Sequence, residues 1–459
     1  MSAEVEVVDR FLVRLTTLLL RTSAEGSFEI RDQVRSAGEA YGCAVHLSIL
    51  AESAVIVITH PDGSKVTESI HTTPELSRLD QVTEVKFLLR RVIDGTLPAD
   101  DADRALERLV ESPRPYPPWQ RLLGLVLFSA GFAPSVQATW RELAISIGLG
   151  AIMAVIFIVS ERDRRLQLLL PIVGPAVVGI VAFTVFDAAH APGGPVVLML
   201  PALFVLIPGD FLCVAMAELA TGQITPGAVR LAHSLFTLIQ LTAGIVIAAE
   251  IAGVNAEALF ATDIPSALPY WLVAASWVPF TVGLMLTFDA RIRDFGWMVS
   301  LVYLAWGVQQ VFTAGFGPVA GTFVAGAVLA ATGGILERSP ARPPRLIMII
   351  AGFFALTVGA LALRGFATLD GSELIAGFND VRNAFMQATA LTIGLVLGTL
   401  ATAHRPDRAR KRAPATRGSS AAPAPPVTIQ AAERPLFAQE EEAPTALFRL
   451  SWRRPGTRS

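Results

Sequence analysis

The chain has 459 residues, 53% apolar and 17% charged, with a mean hydropathy of +0.53. A soluble domain carries about 25% charge, so this composition excludes a wholly disordered chain and argues against a wholly soluble one. A net charge of −2 offers no basic field for nucleic acid, and two cysteines, Cys43 and Cys213, cannot build a disulfide scaffold or a four-thiolate zinc site.

Apolarity is concentrated between about 122 and 403. Residues 1–120 read as a small cytoplasmic α+β domain. The apolar stretch Phe11–Leu20 is interrupted by Arg14 and lacks the basic start of a signal peptide. It is also far short of the roughly 20 residues that cross a ~30 Å hydrocarbon layer, so an amphipathic helix is expected there. Helical spacing runs over Asp9–Arg21 and Phe28–Tyr41, with Gly42 as a left-handed stop. Cys43–Ile49 and Ala54–His60 read as strands. After the turn Pro61-Asp62-Gly63-Ser64, Lys65–His71 returns as a hairpin partner. Thr73 and Pro74 are expected to open a helix reaching about Ile93, and another runs from Pro98 to about Val110.

Ten apolar segments follow, at 122–138, 143–160, 166–186, 195–220, 230–250, 268–288, 295–310, 316–335, 346–363 and 383–403. Ten such runs have no soluble counterpart, so the fold class is a mainly α membrane protein. With the N-terminal domain inside, sixteen Lys and Arg residues flank the inner ends of the spans and three the outer ends. That asymmetry predicts cytoplasmic N- and C-termini and a multi-pass protein of the cell membrane. Ten spans divide into five-helix halves at 121–252 and 267–403. An odd number per half makes the halves an inverted repeat if they share a fold, with a site expected at mid-membrane between them. Residues 404–459 begin basic and continue in Ala, Pro, Ser and Thr. They read as a disordered cytoplasmic tail whose last stretch, with Trp452 and several arginines, could meet anionic lipid.

The fourth span stands apart, with Pro201 and then Pro208-Gly209 in its middle and Asp210 directly after. Proline removes a backbone donor and glycine adds freedom, so a kinked or broken helix is predicted. Such a break needs partners from protein or a polar cavity, and an ionisable group at that depth is a functional candidate. The competing reading makes Asp210 the cap of a helix end. Glu218 near the inner end of that span and Arg230 at the opening of the next are weaker candidates, with an interfacial reading beside the functional one. Asp187 and His190, at the outer end of the third span, could serve a proton relay or merely a solvated loop. Gln240, Gln309 and Gln310 could face a cavity or bond between helices. His46, His60 and His71 lack metal-ligand spacing, and no HExxH, phosphate loop or GxSxG is present. No cofactor or metal is expected, and ATP-driven pumping by this chain is disfavoured.

At these residues the chain resembles the bacterial threonine/serine exporter family over about 8–403. The likeness rests on the stretch Leu18–Gly26 with Glu29, the Gly42 break and hairpin, Arg78, and the proline-rich approach Pro113–Trp119. It rests most on Leu206-Ile207-Pro208-Gly209, followed by Glu218–Gly222 and by Gly227 and Arg230. Two departures are visible: Ile350–Gly359 has glycines but no proline, and Asp210 stands where the family often has an apolar residue. The resemblance implies export of L-threonine and L-serine driven by the proton motive force, with amino acid, protons and bilayer as partners, no nucleic acid, and room for a homo-oligomer. The expected transport path comprises Pro208, Gly209, Asp210, Glu218, Asp187 and Arg230. The alternatives are an exporter of dicarboxylates or other small metabolites, and a membrane-anchored enzyme or scaffold. An enzyme should show a clustered nucleophile, base or metal set, and no such set is visible in the sequence.

Overall fold

The structure is a computed structural model that describes residues 3–21, 26–50, 53–72, 78–186, 191, 194–254, 268–339, 342–356 and 374–402. The expected tail at 404–459 lies outside them, as do Asp187, His190 and the Thr73-Pro74 helix start.

The N-terminal layer contains α1 (Ala3–Arg21), α2 (Ser27–Ala40), β1 (Ala44–Leu50), β2 (Ser53–Thr59), β3 (Lys65–His71), α3 (Leu79–Ile93) and α4 (Ala99–Val110). The strands form an antiparallel sheet in the order β1-β2-β3. Period-two alternation turns Val45, Leu47, Ile49, Ala54, Ile56 and Ile58 inward. They share one core with Phe11, Leu12 and Leu15 of α1 and Ile30 and Val34 of α2. Burying each large side chain contributes about 1.5–3 kcal/mol. Gly42 takes φ +77°, the left-handed stop expected after α2. The next helix, α3, begins at Leu79, later than the Thr73 cap would place it.

The apolar region continues as α5 (Pro118–Phe132), α6 (Trp140–Ser160), α7 (Arg164–Val185), α8 (Pro195–Leu203), α9 (Gly209–Ala220), α10 (Ile224–Ala252), α11 (Tyr270–Thr287), α12 (Phe295–Phe316), α13 (Pro318–Glu337), α14 (Arg345–Ala355) and α15 (Leu374–Thr402). Among the described residues seven helices are long and apolar enough to cross a membrane, or eight if the bent pair α8–α9 counts as one span. The chain is therefore an α-helical, multi-pass membrane protein. The expected spans at 122–138 and 346–363 fall on two short helices. One is α5, extended by a 3-10 turn at Ala133–Ser135, and the other is α14, beyond which 357–373 lies outside the described residues. The span expected at 295–310 is longer than its hydropathy suggests and runs to Phe316. Arg230, expected at a helix mouth, sits inside α10, which starts at Ile224 because Pro226 fits the first turn without losing a bond.

Helix pairing repeats along the chain. In the first part α5 packs on α6, α6 on α7 and α8, and α7 on α10. In the second, α11 packs on α12, α12 on α13 and α14, and α13 on α15. The two sets are joined where α5 crosses α11, an approach that leaves no room for side chains. A Cβ on Gly131 would lie 2.3 Å from the Phe280 amide nitrogen, and one on Gly283 would lie 2.2 Å from the Phe128 amide nitrogen. The N-terminal layer reaches the helix ends by specific bonds. The Leu79 N–H donates to the Phe288 carbonyl at 2.9 Å, and the Tyr116 hydroxyl donates to that of Ala290 at 2.8 Å. Arg114 pairs with the buried Asp289 at 3.1 Å, Lys86 with Glu337 at 3.5 Å, and Arg345 with Glu29 at 3.4 Å. Burial raises the Asp289 carboxyl above its ordinary range, while Arg114 and Arg121 draw it back down.

Because Gly283 meets backbone rather than a movable side chain, Gly283→Val should destabilise the α5–α11 crossing by about 1–3 kcal/mol or more. Thermal unfolding of detergent-purified protein should show the loss. The control is Gly148→Ala, where an added Cβ meets nothing within 4 Å and the midpoint should stay put.

Candidate functional site: the broken span

Pro195–Leu206 and Gly209–Ala220 meet at 68°. The break follows from two prolines. Pro201 lacks the N–H that would bond the Val197 carbonyl, and Gln137 Nε2 donates to that carbonyl at 2.8 Å instead. The Ser146 hydroxyl donates to the Leu198 carbonyl at 2.5 Å. Both donors are buried. Further on, Phe204–Leu206 tightens into a 3-10 turn, Ile207 is extended, and Pro208 occupies the N-cap position of α9. The carbonyls around the Pro201 site within α8 are thus met by side chains of the α5–α6 connection and of α6, which supply the partners that water would supply elsewhere.

Asp210 lies in the first turn of α9, two residues beyond the cap position. Its carboxylate takes hydrogen bonds from the amides of Phe211 and Asp210, and the charges of Arg230 and His233 of α10 act on it. An anion in that place is favoured by the helix N-terminus. Two turns on, Glu218 Oε1 accepts from Arg230 Nη1 at 2.7 Å, from the Ser27 amide at 2.9 Å and from the Ser27 hydroxyl at 2.5 Å. Glu218 and Arg230 are 3% and 5% exposed, so they form a buried pair rather than two interfacial charges. Ser27 opens α2, so the N-terminus of a helix in the N-terminal layer closes the Ala220 end of the broken span. Glu218 Oε2 is buried without a partner.

Glu218 and Arg230 are therefore paired across α9 and α10 near the Ala220 end of α9, while Asp210 stands two turns away in the first turn beside the Pro208-Gly209 break. Asp187 lies outside the described residues and is not placed with them. Of the glutamines, Gln309 Nε2 reaches the Thr322 hydroxyl at 3.2 Å, and that hydroxyl reaches Gln387 Oε1 at 3.3 Å. Gln240 is half-buried on α10, and Gln310 is exposed. Residues missed by sequence reasoning are Ser27, Gln137 and Ser146. Only the proline at position 201 signals that a donor is needed, and nothing local says which residue provides it.

Above this charged end, rings close the crossing. Phe132 stacks on Phe204 at 4.1 Å, and Phe128 on Phe280 at 4.8 Å. Phe354 at the end of α14 stands edge-on to Phe128 at 5.6 Å. Beside the rings, Ser129 Oγ and Trp277 Nε1 are buried without hydrogen-bond partners. Each such orphan costs about 1–3 kcal/mol.

Comparison with known proteins gives one consistent direction. Residues 10–252 match the family described as "Putative threonine/serine exporter". The chain is 28% identical over 420 residues to the "Probable threonine/serine exporter" of Mycobacterium tuberculosis, an alignment that covers 84% of this chain and 74% of the relative. It is 24% identical over 415 residues to the threonine/serine exporter of Corynebacterium glutamicum, covering 86% and 82%. It is also 25% identical over 223 residues to the pheromone-regulated membrane protein 10 of Saccharomyces cerevisiae, covering 48% and 58%. No solved structure matches.

Removing one partner of a buried pair strands the other. Arg230→Met should destabilise by about 3–5 kcal/mol, and the double variant Glu218→Met/Arg230→Met should regain most of that loss. Thermal unfolding of the three proteins decides it. Equal midpoints for the single and double variants would show that the two charges are not coupled.

Proposed function

The chain belongs to the threonine/serine exporter family, and from that premise we propose that it exports small polar amino acids, L-threonine and L-serine, from the cytoplasm as a secondary transporter driven by the proton motive force. The observation that carries the reading is the broken span. It sets an acid at the bend between Pro195–Leu206 and Gly209–Ala220 and a buried ion pair two turns further along the second piece. The expected path residues are Pro208, Gly209, Asp210, Glu218 and Arg230, with Asp187 at the outer end.

A zwitterionic amino acid needs a cation partner and an anion partner. Asp210 offers a counter-charge to the ammonium. An acid at that depth can also take a proton from one side and release it to the other. Two acids face a single arginine that Glu218 already occupies, so the site suits a zwitterion better than a dicarboxylate. The orphaned Ser129 and Trp277 atoms add uncharged polar contacts near the ring closure.

The repeated helix pairing supports two five-helix halves related as an inverted repeat, with ten spans once α5 and α14 are counted. In alternating access such halves rock about a shared centre. The α5–α11 crossing supplies that centre. The N-terminal layer bonds to the loops around Asp289, Glu337 and Gln223, whose neighbours carry the inner arginines of the hydropathy reading. That supports a cytoplasmic N-terminal layer and cytoplasmic termini.

Two measurements test this. In proteoliposomes loaded with labelled threonine, Asp210→Asn should lower efflux driven by a pH gradient at least about tenfold while leaving folding and membrane insertion intact, because the exchangeable proton is gone and the shape is nearly kept. Wild-type efflux with unchanged pH dependence would remove Asp210 from the path. For topology, single cysteines replacing Phe316 and Arg162, both exposed, go into a chain without Cys43 and Cys213. In intact cells an impermeant thiol reagent should label position 316 and not 162, and the reverse pattern would invert the topology.

A further inference from the structure

Cys43, His60 and Asp9 stand in line in the N-terminal layer, apart from the broken span. The β1–β2 register pairs Ala44 with Thr59, so the next pair outward is Cys43 with His60. Cys43 Sγ lies 3.3 Å from His60 Nδ1, and His60 Nε2 lies 2.9 Å from Asp9 Oδ1 on α1. All three are buried, and Asp9 Oδ2 has no partner. Thiol and imidazole border a cavity of about 520 Å³, walled by Val8, Tyr41, Leu97 and Pro98. The N-terminal turn of α4, with its unspent amides, borders the same cavity at Ala99. A histidine that only needed burial would be satisfied by ordinary carbonyls. A thiol is a weak partner, and a structural histidine has no use for an adjoining cavity.

We propose that Cys43, His60 and Asp9 form a cysteine-nucleophile centre that hydrolyses small esters or amides with a compact, largely apolar acyl group. Cys43 and His60 are the catalytic residues and Asp9 the positioning residue, the arrangement of nucleophile, base and orienting carboxylate that activates a thiol. Burial first, and then the charge of Asp9, push the Cys43 thiol above its ordinary range. The thiol therefore keeps its proton until His60 accepts it as the electrophile arrives. Sulfur then bonds the carbonyl carbon, and the carbon–oxygen or carbon–nitrogen bond to the leaving group breaks. His60 returns its proton to that alcohol or amine. Water, deprotonated by His60, attacks the thioester, and the carboxylic acid and the Cys43 thiol are released. One water is consumed per bond cleaved, and no redox partner is needed. Tyr41 and Asp62 are the other titratable groups close to this line.

The test uses full-length protein in detergent with p-nitrophenyl acetate as the acyl probe. The expected result is a burst approaching one p-nitrophenol per chain, then steady turnover, with the acetyl group located on Cys43 by peptide mass spectrometry. Cys43→Ser and His60→Gln should each lower turnover by about a hundredfold or more. Asp9→Asn should keep the burst, slow it, and displace its pH profile, which a merely structural aspartate would not do. Should a variant fail to fold, the wild-type adduct alone decides. Acetyl absent from Cys43, or an adduct on Cys43 that forms and does not turn over, overturns the proposal. So does turnover in a folded Cys43→Ser protein equal to wild type.

Discussion

A helix that stops at membrane depth leaves backbone groups that only protein can satisfy, and much of the first helical set is arranged around that requirement. Pro201 frees the Val197 carbonyl, so an amide donor must be delivered to it from a loop. That loop is itself held by a capping box: the Glu142 amide bonds the Thr139 hydroxyl, and the Glu142 carboxylate accepts from the Ala138 and Thr139 amides. Gln137 is thus aimed by the start of α6, and Ser146 one turn further along α6 reaches the next carbonyl. The Pro201 site within α8 thus has two dedicated donors, supplied by neighbours already ordered for other reasons.

The same bookkeeping explains why the N-terminal layer packs against the helices. Neither α2 nor α3 has a side-chain cap, since Gly26 and Arg78 occupy their cap positions. Their free amides bond outward instead, Ser27 to Glu218 and Leu79 to the Phe288 carbonyl. Exposed ion pairs such as Arg35–Glu39 add little, about 0–1 kcal/mol each. The buried bonds dominate, because undocking the layer would orphan helix amides on one side and the Glu218 charge on the other. Movement of α9 relative to α10 is in this way tied to the seating of α2.

These outward caps also mark where the sequence stops being legible. The hairpin, the alternation of the strands, the long spans and the Pro208-Gly209 break are local patterns, and the structure has them close to where hydropathy and turn chemistry put them. The described α3 starts at Leu79, whose amide bonds the Phe288 carbonyl about two hundred residues away, and no local signal points to that partner. Arg230 reads as a boundary charge until Glu218 and Ser27 are set beside it, and that triplet joins three segments far apart in sequence. Cys43 and His60 are a different case. A search by metal-ligand spacing passes over them, and only the β1–β2 register of the structure sets them side by side.

The repeated pairing makes the remaining asymmetry informative. Along α9 and α10 of the first set stand Asp210 beside the break and the Glu218–Arg230 pair two turns on. At the corresponding position in the second set, Gln309 of α12 meets Thr322 of α13 and Gln387 of α15, with the Leu356 carbonyl 3.5 Å from the same amide. Ser146 on α6 and Gln309 on α12 do equivalent work, each donating to a carbonyl of the helix next to it. The two sets therefore solve the same backbone problem, one beside ionisable groups and one beside groups that never change charge. Of these two clusters only the first can change its protonation, so on the exporter reading any coupled proton is handled beside α9 and α10. The amide and hydroxyl cluster of α12, α13 and α15 can only offer hydrogen bonds.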